Sequence, residues 1–569
     1  MKIDVVSSIT NYSPRSPDRE LAIAKTSPAH RGTLKRKPMP HPGTHLGSAA
    51  LLLSELDRLR VEASAAIATP KRSELGQYFT PPRLASFLAT FFERFTPETR
   101  LLDAGAGFGS LTAAAVAEAL DRAEPPSRIH VVGFETDPGL LALLNQTLRM
   151  CSVESKRHGV RFSSTCVPGD FVSSAVEMIE NRHPRRRMRR FSHAILNPPY
   201  RKLKSNSTTR RLLQRVGIET SNLYSGFVAL AVQLLEPGGE LVAITPRSFC
   251  NGPYFRPFRE YLLEHTGLQH LHVFESRTAP FADDNVLQEN VVVHVTKGAR
   301  QGRVIVSSSA GPKDQTPLVH EVSFDQVVRR GDPQSFIHAV PDPSGQALAI
   351  AHSSLPCTLE DLGLSVSTGK VVDFRARRYL RQERGRRTQP LICPAHFSSG
   401  VVSWPKPGKK PNALADVPAT AALWMPTGTY VLVKRFTSKE ERRRIVAAIF
   451  DPEAVPADKV GFENHLNVLH ANGAGLDRAL AGGLASFLNS TFVDAVFRQW
   501  SGHTQVNATD LRSLRVPAAA ALRRLGGEVG CGASQAAIDA AVDGVVAPTP
   551  RLTQRRARDS NPRYPHGYT

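Results

Sequence analysis

Short apolar runs alternate with helix-patterned stretches from about residue 71 to residue 300. Leu101-Leu102 reads as a short strand running into a glycine-rich turn. Leu111 to Leu120 is Ala-rich and helical in spacing, Ile129 to Phe134 is a β-branched strand, and Leu140 to Met150 is helical again. Phe191 to Leu196 predicts a buried strand. Tyr224 to Leu235 predicts a helix stopped by Pro237-Gly238-Gly239, with a strand at Glu240 to Thr245. A helix at Phe255 to His265 and strands at Leu271 to Phe274 and Asn290 to Val295 complete the series. Repeated strand–helix alternation predicts an α/β fold, a doubly wound sheet with helices on both faces.

The pattern changes elsewhere. Residues 1–45 are rich in Ser, Pro, Lys and Arg and predict a disordered basic tail. Leu51, Leu52, Leu56, Leu59 and Val61 predict an amphipathic helix ended by Pro70, which opens a first domain at 46–300. Residues 301–345 read as a linker holding a short strand at Val304-Ile305-Val306. Residues 346–518 have fewer regular alternations and more Pro, Gly and basic residues, then a long helix from Leu476 to Trp500; they predict a second domain of mixed α and β. Residues 519–569 read as a flexible C-terminal tail.

Composition narrows the class. A chain of 569 residues exceeds one ordinary core, so two or more domains are expected. Hydrophobic residues at 41% and charged residues at 22% are ordinary for a soluble protein. No apolar run approaches membrane-span length, and Met1 to Pro40 lacks a signal-peptide core, so no membrane and a cytoplasmic location are expected. Six cysteines are scattered without a CxxC pair, which argues against a metal site or a disulfide framework. The formal net charge of +21 favours a polyanionic partner. Part of it lies in the tails, but Arg375 to Arg387 and Lys434 to Arg444 are basic runs inside foldable sequence. Arg182 to Arg190 holds six arginines in nine residues, either an exposed loop or a phosphate-contacting one.

Two motifs carry chemistry. Asn197-Pro198-Pro199-Tyr200 follows the apolar run Ala194-Ile195-Leu196, placing an amide, two rigid imino acids and an aromatic ring where a buried strand ends. That set suits holding a flat, amino-bearing ring and presenting its nitrogen to an electrophile. Asp103-Ala104-Gly105-Ala106-Gly107-Phe108-Gly109 follows the first strand; Gly105 and Gly107 let backbone approach a ligand, and the next helix offers free N–H groups. Alone this is a general nucleotide-type loop, or a turn that needs glycine only for packing. Glu135, ending the next strand, can accept from ribose hydroxyls. In Gly169-Asp170-Phe171, the carboxylate can accept from an adenine amine and the ring can pack on the base. Gln77-Tyr78-Phe79-Thr80-Pro81 places a hydroxyl and free N–H groups near the same pocket.

In this order, Gln77 to Pro81, Asp103 to Gly109, Gly133 to Asp137, Gly169-Asp170 and Asn197 to Tyr200 resemble the motif series of gamma-class DNA adenine-N6 methyltransferases. Val366 to Arg375 and Ser501 to Leu511 resemble the C-terminal half of PstI- and Eco57I-type modification methylases of type II restriction–modification systems. The resemblance spans roughly residues 70 to 520. It implies a Rossmann-like S-adenosylmethionine-dependent methyltransferase sheet followed by a C-terminal mixed α/β target-recognition domain. It places Thr80 and Asp103 around the methionine end of S-adenosylmethionine, Gly105 and Gly107 in the loop, Glu135 at the ribose, and Asp170 and Phe171 at the adenine. The loop lies closer to the general methyltransferase pattern than to the Taq-type variant.

An exocyclic adenine amine is a poor nucleophile because its lone pair is delocalised. The side-chain oxygen of Asn197 and the carbonyl of Pro198 can accept from its two N–H groups, on a turn that proline stiffens. Tyr200 can stack on the base, and the resemblance offers Phe281 as a second aromatic wall. The target must leave the duplex to be reached. Double-stranded DNA is therefore the expected partner, with Arg375, Arg377, Arg378, Lys434, Arg435, His503, Gln505 and Asn507 as candidate DNA contacts, each also open to a structural role. A separate cognate restriction endonuclease and a nucleoid-associated bacterial location follow from the resemblance. A protein glutamine methyltransferase and an inactive DNA-binding protein are the competing readings; no PD…(D/E)xK nuclease constellation is evident.

Overall fold

The structure, a computed structural model, describes Leu52, residues 55–59, 79–180, 190–275, 289–312, 314, 316–340, 343–437, 441–500, 505–530 and 532–546. Its centre is a nine-stranded sheet. In chain order the strands are β1 (Glu98–Ala104), β2 (Arg128–Glu135), β3 (Arg161–Pro168), β4 (Phe191–Leu196), β5 (Leu235–Pro246), β6 (Thr266–Phe274), β7 (Asn290–Lys297), β8 (Arg303–Ser309) and β9 (Leu318–Ser323). Across the sheet they run β3-β2-β1-β4-β5-β7-β6-β8-β9. The pairs from β3 to β5 are parallel, and β7 lies antiparallel to both β5 and β6.

Side-chain alternation explains why helices cover both faces. Leu101, Val131, Ile195, Val242 and Ile244 pack in one core cluster, while their neighbours Leu102, Val132, Ala194, Leu241 and Ala243 pack in the other. Every second residue of a strand points the same way, so strands buried on both sides must be apolar throughout. The first face carries α1 (Pro82–Ala89), α2 (Ser110–Leu120) and α3 (Pro138–Arg157). The second carries α4 (Phe171–Glu180), α5 (Thr208–Arg215), α6 (Leu223–Leu234) and α7 (Arg256–His265). α3 begins where its sequence says it should: Asp137 accepts from the Gly139 N–H at 2.8 Å, and Pro138 fills the first position, where no N–H is needed.

Four sequence expectations are corrected. The 301–345 stretch is no simple linker, because Arg303–Ser309 and Leu318–Ser323 extend the sheet beyond β6. Pro237-Gly238-Gly239 lies inside β5 as a bulge, the pairing stepping from Phe191↔Leu235 to His193↔Glu240. The helix expected from Leu476 to Trp500 is two, Arg478–Leu488 and Thr491–Trp500, broken at Asn489-Ser490. The Asn489 amide exchanges hydrogen bonds with the Ala447 backbone at 2.9 and 3.0 Å, which turns the chain there. The 519–569 tail is folded through residue 546: helices Ala519–Glu528 and Gln535–Asp543 bury Leu522, Leu525, Val529, Val542 and Val546. The helix expected at 46–67 is helical at Leu52 and residues 55–59; its remainder, the Arg182–Arg190 run apart from Arg190, and the 1–45 tail lie outside the described residues.

Beyond the large sheet, a six-stranded sheet (from Ser365–Thr368 to Leu466–His470) and a five-stranded sheet (from Leu380–Arg381 to Lys459–Phe462) form the mixed α/β part. No single described helix is long and apolar enough to cross a membrane.

The helices Arg478–Leu488 and Ala519–Glu528 cross at glycine. A Cβ on Gly483 would sit 1.7 Å from the Leu522 carbonyl oxygen, whereas one on Gly527 would meet nothing within 4 Å. Gly483→Ala should therefore destabilise this crossing by roughly 2 kcal/mol or more and expose residues 519–546 to limited proteolysis. Gly527→Ala should leave the urea midpoint unchanged or raise it slightly.

Candidate active site

The chain leaves β1 toward β2 on one side and β4 toward β5 on the other, so a crevice opens at the carboxyl ends of these adjacent strands. The glycine loop leaves β1 there, and Asn197 to Tyr200 leaves β4 beside it. One cleft joins them. Its lining includes Phe79, Gly105, Gly107, Glu135, Asp170, Phe171, Asn197, Pro199 and Phe227, around a cavity of about 180 Å³.

The loop is held by backbone geometry and one carboxylate. The Gly105 and Ala106 N–H groups donate to the Phe134 carbonyl at 3.1 and 2.8 Å. Glu135 accepts from the Gly107 N–H at 2.8 Å through Oε2, and from the Thr136 and Asp137 N–H groups at 2.7 and 2.8 Å through Oε1. Gly107 has a φ of +58°, which side-chain-bearing residues rarely adopt. Gly109, at +90°, also packs so tightly that a Cβ would meet Leu144 and Thr147 at 2.9 Å.

The expected cofactor residues divide into two groups. Gly105, Gly107, Glu135, Asp170 and Phe171 border the cleft. Asp170 is exposed, and its Oδ2 caps α4 by accepting from the Ser173 N–H at 3.0 Å. Phe171 is buried against Phe134 and Phe227, ring centroids 5.2 and 5.0 Å apart. Thr80 and Asp103 sit behind the cleft wall instead. Thr80 reaches across to the other motif, its Oγ1 accepting from Asn197 Nδ2 at 3.0 Å. Asp103 is sealed beneath the loop; Oδ2 accepts from Thr112 Oγ1 at 2.7 Å, and Oδ1 is buried with no hydrogen-bond partner among the described residues. Burial pushes its carboxyl up to about 7, against the Thr112 hydrogen bonds that lower it.

In the tetrapeptide, Pro198 is buried and Asn197, Pro199 and Tyr200 are half-buried. The Tyr200 hydroxyl donates to Asn197 Oδ1 at 3.2 Å and to the Ile244 carbonyl at 3.3 Å, tying the turn to β5. The Tyr200 ring meets Tyr224 edge-on at 6.0 Å. Phe281 lies outside the described residues.

Sequence reasoning missed the apolar walls. Phe79 and Phe227 would lie 3.9 and 3.7 Å from Cβ atoms built on Gly107 and Gly105. Leu140, Leu223 and Arg201 also line the cleft. Phe79 stood in a quoted motif; Phe227 and Leu223 belong to an apolar helix whose site-facing side has no signature in sequence.

The candidate DNA contacts are spread over several elements. Arg375, Arg377 and Arg378 are exposed on the helical turns Asp373–Ala376 and Arg377–Tyr379. Lys434 ends the strand Tyr430–Lys434, and Arg435 Nη1 donates to the Asn464 carbonyl at 3.2 Å. Gln505 forms an isolated bridge with Phe436. Asn507 is committed locally as the cap of the helix Ala508–Arg512, its backbone N–H donating to Asp510 Oδ2 at 2.8 Å. His503 lies outside the described residues, among which no cluster of His, Cys, Asp and Glu could hold a metal.

Strand order and cleft together define a Rossmann-like α/β sheet with a ligand cleft at the carboxyl ends of its central strands. Residues 170–281 match the family model described as Eco57I restriction-modification methylase. The chain is 46% identical over 482 residues to the type II methyltransferase M.PstI of Providencia stuartii, covering 84% of this chain and 94% of that protein. It is 43% identical over 478 residues to the type II methyltransferase M.BsuBI of Bacillus subtilis, covering 84% and 93%. The solved type IIL restriction-modification enzyme MmeI in complex with DNA aligns with a TM-score of 0.48 at 11% identity, over 87% of this chain and 75% of that one. The chain belongs to the type II methyltransferases of restriction–modification systems.

Asp103 yields a pH-dependent test. An unfolded aspartate ionises near pH 4 and the folded one only at about 7, so Asp103 subtracts stability progressively as pH rises between them. Asp103→Asn should raise the unfolding free energy measured in urea at pH 8 by on the order of 1 kcal/mol, and give no gain at pH 4.

Proposed function

We propose that this chain transfers a methyl group from S-adenosylmethionine to N6 of an adenine flipped out of double-stranded DNA, as the modification half of a restriction–modification system. The observation that carries this reading is the shared cleft, which brings the glycine loop and Asn197 together at one switch point of the sheet. The residues present suit the cofactor: a glycine cradle, apolar walls from Phe79, Phe171 and Phe227, a bordering carboxylate at Glu135, and the buried Oδ1 of Asp103 behind the loop, which has no partner among the described residues. When bound, the cofactor supplies an electrophilic methyl group on a sulfonium.

The chain's own work is positioning and electrostatics. Asn197 Oδ1 and the Pro198 carbonyl accept from the amine, localising its lone pair on nitrogen. Tyr200 offers its ring to the base. Its hydroxyl already shares Asn197 Oδ1 and the Ile244 carbonyl, so the side chain is oriented before substrate arrives. The half-buried cleft keeps these acceptors poorly solvated, which strengthens them. The positive charge, with Lys434 and the exposed Arg375 and Arg377 among its carriers, supplies sequence-independent attraction to phosphates. DNA as substrate also accounts for the large second sheet system, which glutamine methylation of a protein does not call for. A cognate endonuclease acting separately would share the recognised sequence, in a bacterial cytoplasm where both meet the nucleoid.

Methylation-sensitive sequencing of DNA from cells expressing the chain should reveal N6-methyladenine at one short recurrent sequence. Modified cytosine, or no modification, overturns the reading. Asn197→Ala should cut methyl transfer by about 10²-fold or more while DNA affinity stays within about twofold.

A further inference from the structure

Lone exposed apolar side chains are ordinary on protein surfaces. Phe436 is not placed like one. It is 46% exposed at the end of the basic segment Lys434-Arg435, yet its ring is braced from two sides. His465 meets it edge-on with centroids 5.0 Å apart, and the Arg435 guanidinium stands 5.8 Å from its centroid. Its backbone bridges Gln505, while the Arg435 carbonyl accepts from the Val506 N–H at 2.7 Å.

Behind this ring lies a carboxylate that stability alone does not explain. Glu463 is 1% exposed, and its Oε2 has no hydrogen-bond partner among the described residues. Its Oε1 is paired with His465 Nδ1 and stands 3.6 Å from Lys410 Nζ. Lys410 in turn binds Asp373 Oδ2 at 3.0 Å, at the start of the turn that carries exposed Arg375. A continuous set of contacts thus runs from one basic run to the other and ends at Phe436. Burying a carboxylate with an unmet oxygen is costly, and an apolar residue of similar volume would avoid that cost. What the carboxylate does achieve is to orient His465, and through it the exposed ring.

We infer that Phe436 is a base-contacting side chain of this enzyme, presented to duplex DNA by Glu463 acting through His465. This rests on the reading of the chain as a DNA methyltransferase. The occupant follows from charge: Arg435 stands beside an apolar ring, Lys434 ends the strand that leads to it, and Lys410 joins it through Glu463 and His465, matching phosphates that flank the thymine methyl groups of a duplex groove. Phe436 is a specificity residue, and Glu463 and His465 are positioning residues.

The test compares equilibrium binding to a duplex carrying the mapped recognition sequence with binding to an equal-length duplex lacking it, across a salt series. Phe436→Ala should weaken cognate binding by about tenfold, the order of one lost base contact, while non-cognate affinity and the salt slope stay unchanged. Lys434→Ala should instead weaken both duplexes and flatten the slope. His465→Ala and Glu463→Gln should reproduce the selective loss, with the thermal midpoint of each variant verifying that it folds. Cognate affinity of Phe436→Ala within twofold of wild type, or equal losses on both duplexes, overturns the inference. A wild-type chain with no preference between the duplexes would bring down the DNA reading itself, a result distinct from failure at Phe436.

Discussion

The parallel pairing of β1 with β4 is the constraint on which the rest of this molecule depends. Three pairs, Leu101↔His193, Leu102↔Ala194 and Asp103↔Ile195, place side by side two strand ends far apart along the chain. The glycine loop leaves one and Asn197 leaves the other. A register slip of one residue would turn every side chain of either strand to the opposite face and drag Asn197 away from the cleft. The apolar side chains committed to both faces hold that register, so the packing of the core also sets the geometry of the site.

Buried polar groups then do the fine positioning. Glu135 spends both oxygens on backbone N–H groups, so its first role is to shape the loop that a ligand would meet. Thr80 links the segment before α1 to Asn197, and Tyr200 links Asn197 to β5. Asp103 and Glu463 run against stability: both are buried carboxylates with one oxygen unmet among the described residues, and burial raises both above the usual range. They lie in separate places, one under the glycine loop and one under the basic surface of the second sheet system.

Large-scale construction away from the site relies on close backbone approach. Gly483 and Gly526 let two helices cross with almost no side chain between them, and Gly369 lies so near Glu463 that a Cβ would sit 2.2 Å from its carbonyl oxygen. These contacts carry the segment after residue 518 into the fold and anchor the strand leading to Asp373. Catalytic sheet and second region meet where the Arg247 side chain, just past the end of β5, donates to the Gln499 carbonyl. Gln499 leads by a few residues into Gln505, so a strand that orients Tyr200 also touches the chain that supplies a candidate DNA contact.

Apolar alternation along β1 to β7, glycine where backbone turns left-handed, and the tetrapeptide after a buried strand were all legible in the chain, because each is a local requirement stated by neighbouring residues. The sheet, both site motifs and the family resemblance followed from them. Other features depend on residues remote in sequence. Arg303–Ser323 has a plain strand pattern, but only vacant edge hydrogen bonds on β6 make it part of the sheet. The 519–546 helices look like a tail until glycines forty residues earlier receive them. Phe227 looks like core until the fold leaves one edge of it facing the glycine loop, and Asn507 looks like a base reader until Asp510 claims it as a helix cap. The sequence by itself determined which segments would form elements and which chemistry they carry, since those are matters of period and residue type. Tertiary structure decided which of those groups share a cleft, which are consumed holding backbone, and which stay exposed, since a side chain's free valences depend on what packs against it.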